Sequence, residues 1–261
     1  MKNPLISVVT ICFNASVTLE QTILSVLSQS LKEGVEYIIV DGGSTDGSLQ
    51  IIEKYRNRVD VILSEPDDGI YNAMNKAAGL ASGEYIIYMN SNDVFASENI
   101  LERVKNVVGD KEYSVIFGDY YLRINNNKYL VRSQPKRMGA IVTSHQAIFC
   151  KKSLVLQYRF DEKIKLAADY QLVSSLLHIG PNLCLNFPVC IMEGVGFSSD
   201  KKNQILREYF TINKKLYGSI YASYVFSLTF LSMLTSNILT FVGLGFLRNY
   251  LRRLKGWREL K

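Results

Sequence analysis

The sequence predicts an α/β fold built on a mostly parallel sheet, and three observations carry that expectation. Short β-branched runs such as Leu5–Ile11 (LISVVTI) and Glu84–Met89 (EYIIYM) alternate with amphipathic stretches through the first half of the chain. These runs are apolar throughout rather than alternating, as strands covered on both faces are. Acidic turns follow three of them, and open α/β sheets bind ligands at the carboxyl ends of their strands.

Taken in order, the Leu5–Ile11 strand leads into a helix over Val17–Gln29, with Ser16 placed to cap it. Tyr37–Val40 reads as the next strand, Gly47–Tyr55 as a helix, Val59–Leu63 as a strand and Gly69–Ala81 as a helix. Glu84–Met89 and a helix over Glu98–Val108 complete the regular half. Beyond it, Val115–Gly118, Tyr120–Ile124 and Lys128–Arg132 are short strands, the last two joined through Asn125-Asn126-Asn127. Asparagine accepts left-handed backbone angles, so this junction reads as a hairpin. Ile148–Cys150, Leu183–Phe187 and Val189–Met192 add strands, and Asp169–His178 a helix. No internal repeat is visible.

A chain of 261 residues with 48% hydrophobic side chains has enough apolar material for a sizeable core. The net charge of +6 is unevenly spread. Residues 1–198 hold 19 Lys or Arg against 21 Asp or Glu, whereas residues 199–261 hold 11 against three. A basic tail suits nucleic acid or an anionic membrane. The stretch from Leu216 to Leu247 carries no charged residue and is rich in Tyr, Phe, Leu, Ile and Val, which favours membrane and argues against nucleic acid. Cys12, Cys150, Cys184 and Cys190 show no paired spacing and lie among apolar neighbours, as buried free thiols do. Met1–Pro4 runs straight into a strand, so no secretory leader is expected.

The three acidic turns hold the chemistry. The first is Asp41-Gly42-Gly43-Ser44-Thr45-Asp46-Gly47, where glycines let the backbone approach a ligand and Asp41 can accept hydrogen bonds from a nucleobase or ribose. Its spacing fits neither a dinucleotide fingerprint nor a P-loop, and no lysine follows. Asp46 serves equally well as a cap for the next helix. The second turn, Ser64-Glu65-Pro66-Asp67-Asp68-Gly69, offers Asp67 and Asp68, either of which suits a helix N-cap. The third is Asn90-Ser91-Asn92-Asp93. Carboxylates crowded at one crevice repel a phosphate unless a divalent cation or a nucleoside lies between, and hard oxygen donors suit Mg²⁺ or Mn²⁺.

Together these pieces resemble family 2 glycosyltransferases of bacterial surface-polysaccharide assembly. The resemblance rests on PLISVVTICFN, VDGGSTDGS, SEPDDGIYNAMNKAAGLASGEYIIYMNSNDVF, SHQAIF and RFDEKIKLAADYQL, over roughly residues 4–195. It implies the GT-A nucleotide-diphospho-sugar transferase fold, a Rossmann-like sheet with an acceptor-side half, followed here by apolar and basic C-terminal helices. It also implies that Asp41 contacts the nucleotide base, Asp67 or Asp68 lies near the nucleotide, Asp93 binds the metal and Asp169 is the general base. Family members usually carry an acidic pair where this chain has Asn92-Asp93, so Asn92 is left as a neutral oxygen donor. Asp169 opens a helix and is also placed to cap it. One base and one metal imply single displacement with inversion, giving a β-linkage from an α-linked donor. His145 precedes an apolar strand and either contacts donor phosphate or acceptor or makes a structural hydrogen bond; His178 reads as structural.

The expected function is therefore transfer of a hexose, glucose or galactose favoured, from a UDP-sugar to an undecaprenyl-diphosphate-linked saccharide in O-antigen or related synthesis. The expected location is the cytoplasmic face of the bacterial inner membrane. Residues 1–198 would form the catalytic domain and 199–261 a membrane-associating helical region. The apolar stretch is too short for two crossings, and one crossing would put the basic C-terminus outside. Helices lying in the interface or a shallow re-entrant hairpin fit better, the alternative being a helix packed on the protein's own body. Nucleotidyl transfer is the rival enzyme class, weakened because CFNAS offers no basic residue near the first strand. A non-catalytic assembly partner is the non-enzymatic rival.

Overall fold

The computed structural model describes residues 4–124, 127–133, 144–193, 201–241 and 257–260. Four parallel strands form its regular half: β1 (Ile6–Cys12), β2 (Val35–Asp41), β3 (Val61–Ser64) and β4 (Tyr85–Tyr88), in the spatial order β3-β2-β1-β4. Their side chains alternate between two cores. Ile6, Val8, Tyr37, Ile39, Tyr85 and Ile87 face one, and Val9, Ile11, Ile38, Val40, Ile86 and Tyr88 face the other. Helices cover both faces, which is why the strands read as unbroken apolar runs.

The helices follow from spacing. Leu19, Ile23 and Val26 lie three or four apart on α1 (Leu19–Leu27) and bury against the first core. Ile52 on α2 (Ser48–Lys54) and Leu101, Val104 and Val108 on α4 (Ile100–Val108) join them. Met74, Ala77 and Ala78 on α3 (Ile70–Leu80) pack the opposite face. Each fully buried aliphatic side chain contributes roughly 1.5–3 kcal/mol.

The second half is mixed. β6 (Val115–Ile124) pairs antiparallel with β7 (Asn127–Val131) and with β8 (Ile148–Lys151), and β8 joins β4, so both halves form one sheet. The expected hairpin is present, although Asn125 and Asn126 lie outside the described residues. Two pairs of expected short strands are each a single longer one. Val115–Ile124 runs through Gly118, and β9 (Asn182–Glu193) runs through Pro188, paired parallel with it. The interruption in the sequence pattern is an irregularity of register around Asp119. Gly118 is required there, because a Cβ would come 2.2 Å from Val189 Cγ2.

Short elements unforeseen in the sequence complete this half: β5 (Val94–Phe95), paired with β9, and α5 (Lys152–Tyr158). Then comes α6 (Ala168–Leu176). The C-terminal stretch forms α7 (Lys202–Tyr217) and α8 (Ser219–Phe241), divided at Gly218 with φ of 87°. Phe210 and Phe226 would stand about 24 Å apart on one straight helix; their ring centroids are 5.6 Å apart, so α8 doubles back on α7. Ala222 is buried, while Ile220, Tyr224, Phe230 and Leu231 are exposed. Among the described residues no helix is long and apolar enough to cross a membrane. Arg248, Arg252, Arg253 and Lys255 of the basic tail lie outside them, and β10 (Trp257–Leu260) returns to pair with β7 at the sheet edge.

Candidate active site

Because β1 to β4 are parallel, their carboxyl ends share one edge of the sheet, and the three acidic turns meet there. Cys12 stands beside Asp41, and Asp41 beside Ser64. β1 is flanked by β2 on one side and β4 on the other, the switch in strand order at which α/β sheets open a crevice.

Asp41 is fully buried and its carboxylate is spent on the turn. Gly43 and Ser44 donate backbone N–H bonds to Oδ2 at 3.1 and 3.0 Å, and the Ser64 hydroxyl donates to the same oxygen at 2.8 Å. The Ser44 hydroxyl donates to Oδ1. Burial opposes the charge, but these donors hold the carboxyl below its usual value. Ser44 also accepts from the Asn14 N–H, tying this turn to the end of β1. Asp46 lies just before Gly47, the N-cap of α2, and binds the helix start from outside: it accepts from the Ser48 hydroxyl and backbone N–H and from the Ser16 N–H.

Asp67 leans over the first turn, since a Cβ at Gly42 would come 2.4 Å from Asp67 Oδ2. Its other oxygen accepts from the Gly69 N–H at 2.8 Å. Asp68 is exposed beside it. Phe13, at the end of β1, is 62% exposed and touches the same space above Gly42. An exposed aromatic ring next to an apolar strand end is a signal the sequence reading passed over.

The third turn is pinned from below. The Ser91 N–H donates to the Ile11 carbonyl, the Asn92 N–H to Thr22 Oγ1, and the Asp93 N–H to the Asn90 carbonyl. Asn92 has φ of 95°, a backbone region that asparagine tolerates better than most residues. Asp93 is only 7% exposed, and its Oδ2 accepts from Gln146 Nε2 at 2.9 Å. Burial pushes its pKa up to about 6, with the bond from Gln146 pulling the other way.

Asp169 joins this turn through the second half of the chain. Its Oδ2 lies 2.9 Å from His145 Nδ1, and the other imidazole nitrogen lies 3.0 Å from Asn90 Nδ2. Its Oδ1 accepts from the Tyr71 hydroxyl at 3.2 Å and from the Tyr170 N–H at 2.8 Å. The expected cap role is therefore present only as this local bond to the next residue, and the side chain remains 26% exposed. Burial raises its pKa, but the bonds from His145, Tyr170 and Tyr71 outweigh that and hold it below the usual value. Gln146 stood beside His145 in the sequence without a role of its own, and Tyr71 and Asn90 were given none, because their roles depend on contacts between distant segments. His145 makes its two side-chain bonds to protein groups, Asn90 and Asp169.

The donor chemistry suits a hard divalent cation that brings most of its own ligands. Among the described residues no group of three or more His, Cys, Asp or Glu is placed to hold a metal. Asp93 is a buried anionic oxygen whose charge is poorly compensated, and Asn92 beside it is neutral. Mg²⁺ and Mn²⁺ sites of that kind are completed by substrate phosphates.

A glycosyltransferase of PGL/p-HBAD biosynthesis from Mycobacterium bovis BCG is 28% identical over 199 residues, covering 69% of this chain and 76% of its own. The structure of S. aureus TarS 1–349 in complex with UDP superposes with a TM-score of 0.65 at 17% identity, over 85% of this chain and 69% of that one. The mannosyltransferase PcManGT of Pyrobaculum calidifontis, in complex with GDP-Man and Mn²⁺, superposes with a TM-score of 0.67 at 12% identity, over 98% and 84%. These likenesses establish the GT-A fold. Residues 7–163 match glycosyl transferase family 2, and the chain belongs to that family as a sugar transferase using a nucleotide-sugar donor.

Proposed function

We propose that the protein is an inverting, metal-dependent transferase that moves a hexose from a UDP-sugar to a lipid-linked saccharide at an anionic membrane surface. The observation that carries this reading is Asp169, ionised and part-exposed, joined through His145 to the turn at the end of β4. A carboxylate in that state can take a proton, and a nucleotide diphosphate fits the sheet edge it faces.

The reaction is a single displacement. The acceptor oxygen bonds to the anomeric carbon as the bond from that carbon to the diphosphate oxygen breaks. Its electron pair leaves with the nucleoside diphosphate, and the hydroxyl proton passes to Asp169. Tyr71 and His145 keep the Asp169 carboxylate oriented. Phe13 offers a face for the nucleobase, while Asp41 shapes the turn beneath it and Asp67 and Asp68 wall the donor side. When bound, a divalent cation held by Asp93 with Asn92 beside it supplies charge stabilisation to the leaving diphosphate. A UDP donor has support from the UDP bound to TarS, and Mn²⁺ from the mannosyltransferase. Glucose or galactose, the undecaprenyl-diphosphate carrier and the cytoplasmic face of the inner membrane extend the same reading.

Transfer and donor hydrolysis measured over a panel of nucleotide sugars, with and without Mn²⁺, test it. Asp169→Ala and Asp93→Ala should each lower kcat by at least about a hundredfold in folded protein. Near-normal turnover by Asp169→Ala removes the assigned base.

A further inference from the structure

We propose that Asn90 is a positioning residue that acts on Asp169 through His145, by fixing the imidazole as the neutral form with its proton on Nδ1. This rests on the reading of Asp169 as the base. His145 Nδ1 faces a carboxylate oxygen at 2.9 Å, an acceptor, so that nitrogen carries a proton. His145 Nε2 faces the Asn90 amide nitrogen at 3.0 Å, a donor, so Nε2 must offer its lone pair. An imidazole meeting both demands is uncharged. Asn90 Oδ1 is buried with no partner among the described residues, so the amide's stake in this arrangement lies wholly in its NH₂ group.

The electrical consequence is specific. A neutral donor orients the Asp169 carboxylate without cancelling its charge, whereas an imidazolium in the same place would form an ion pair and make the carboxylate a poorer proton acceptor. Among the described residues, the other polar and charged groups around the pair are Tyr71 from α3, Tyr209 from α7, the Tyr170 N–H and Asp93 from the β4 turn. Asp93 acts on His145 electrostatically, and its Oδ2 is engaged by Gln146. Asn90 is thus the neighbour that distinguishes the two imidazole nitrogens on the Nε2 side.

The chain contains only two histidines, His145 and His178, so ring-nitrogen NMR of ¹⁵N-histidine-labelled full-length protein is directly readable. A His178→Gln variant assigns the signals. The expected spectrum at neutral pH shows His145 with Nδ1 protonated and Nε2 bare. A proton on Nε2, in either the neutral or the doubly protonated ring, overturns the proposal. Asn90→Asp places an anion against Nε2 and should give the doubly protonated ring. It should also lower kcat for UDP-glucose hydrolysis about tenfold at neutral pH, with the rate recovering as pH rises. Combining it with His145→Gln, which can donate an N–H but cannot become cationic, should abolish that pH dependence. If Asn90→Asp melts early, Asn90→Ala replaces it, and the expected result is a larger share of the doubly protonated ring, because Asp169 still holds the Nδ1 proton while nothing keeps one off Nε2. An unchanged tautomer in the variants alongside an inactive Asp169→Asn defeats the role of Asn90 and leaves the base standing. An active Asp169→Asn defeats the base, while the spectra still report the tautomer.

Discussion

Asp93 illustrates how one residue can serve a site at a cost to the fold. Its pKa of about 6 in the native protein stands against 3.8 for a free side chain, and burial is the main cause. Between those values the folded chain binds a proton that the unfolded chain does not. Stability therefore falls as pH rises from about 4 to about 6 and stays lowered above that window. A shift of this size corresponds to roughly 2–3 kcal/mol. Asp93→Asn should raise the urea-unfolding free energy at pH 7.5, without metal, by on the order of 1–2 kcal/mol, and should flatten the slope between pH 4 and 6. Equal slopes in the two proteins would show that Asp93 is not the titrating group. On the proposed role of Asp93 as metal ligand, the same ionisation should make donor binding in Mn²⁺ weaker below about pH 6, which calorimetry with UDP and Mn²⁺ would detect.

At the scale of elements, α7 braces the helix that bears Asp169. Glu208 accepts from the backbone N–H groups of Leu166 and Lys165, fixing the loop into α6. The Tyr170 hydroxyl donates to Asn213 Oδ1 at 2.7 Å within a small core formed by Ala167, Tyr170 and Ile212. The start of the 199–261 region is thereby part of the support for Asp169. Asn213→Leu leaves the Tyr170 hydroxyl without its partner and should cost about 1–3 kcal/mol in urea unfolding. It should reduce kcat more than donor affinity, because the affected helix carries Asp169 and not the nucleotide turns. A variant with reduced donor affinity and normal kcat would contradict that division. The strands and first helices were legible because Val9, Ile38 and Ile86 are buried on one face while Ile39 and Ile87 are buried on the other, which leaves unbroken apolar runs in the sequence. The β6–β9 pairing was not, because Gly118 and Pro188 look like breaks until a neighbouring strand absorbs them.

For the whole molecule, an apolar face and a basic tail belong to the same end of the sequence. Ile220 is 91% exposed on α8, with Leu228, Phe230 and Leu231 also exposed, while α8 doubles back on α7 and does not form a span. Such a face suits lying in a membrane interface, with Lys and Arg attracted to anionic lipid. Ile220→Glu with Leu231→Glu should weaken cosedimentation with phosphatidylglycerol vesicles at least tenfold. Donor hydrolysis in solution should stay unchanged. Binding unaffected by the two glutamates, or insensitive to salt, would place the contact elsewhere.

By itself the sequence determined most of the alternating strands and helices, the sheet edge at which the acidic turns meet, and the family, because these depend on local periodicity and on motifs contiguous in the chain. Tertiary structure alone decided which carboxylates stand open and which are spent. Asp41, buried, and Asp46, exposed, both spend their carboxylates on backbone N–H groups, Asp93 became a buried lone charge, and Asp169 was joined to Asn90 by His145 from 55 residues away. A side chain's charge state and freedom are set by neighbours that the fold brings together, and no spacing along the chain encodes them.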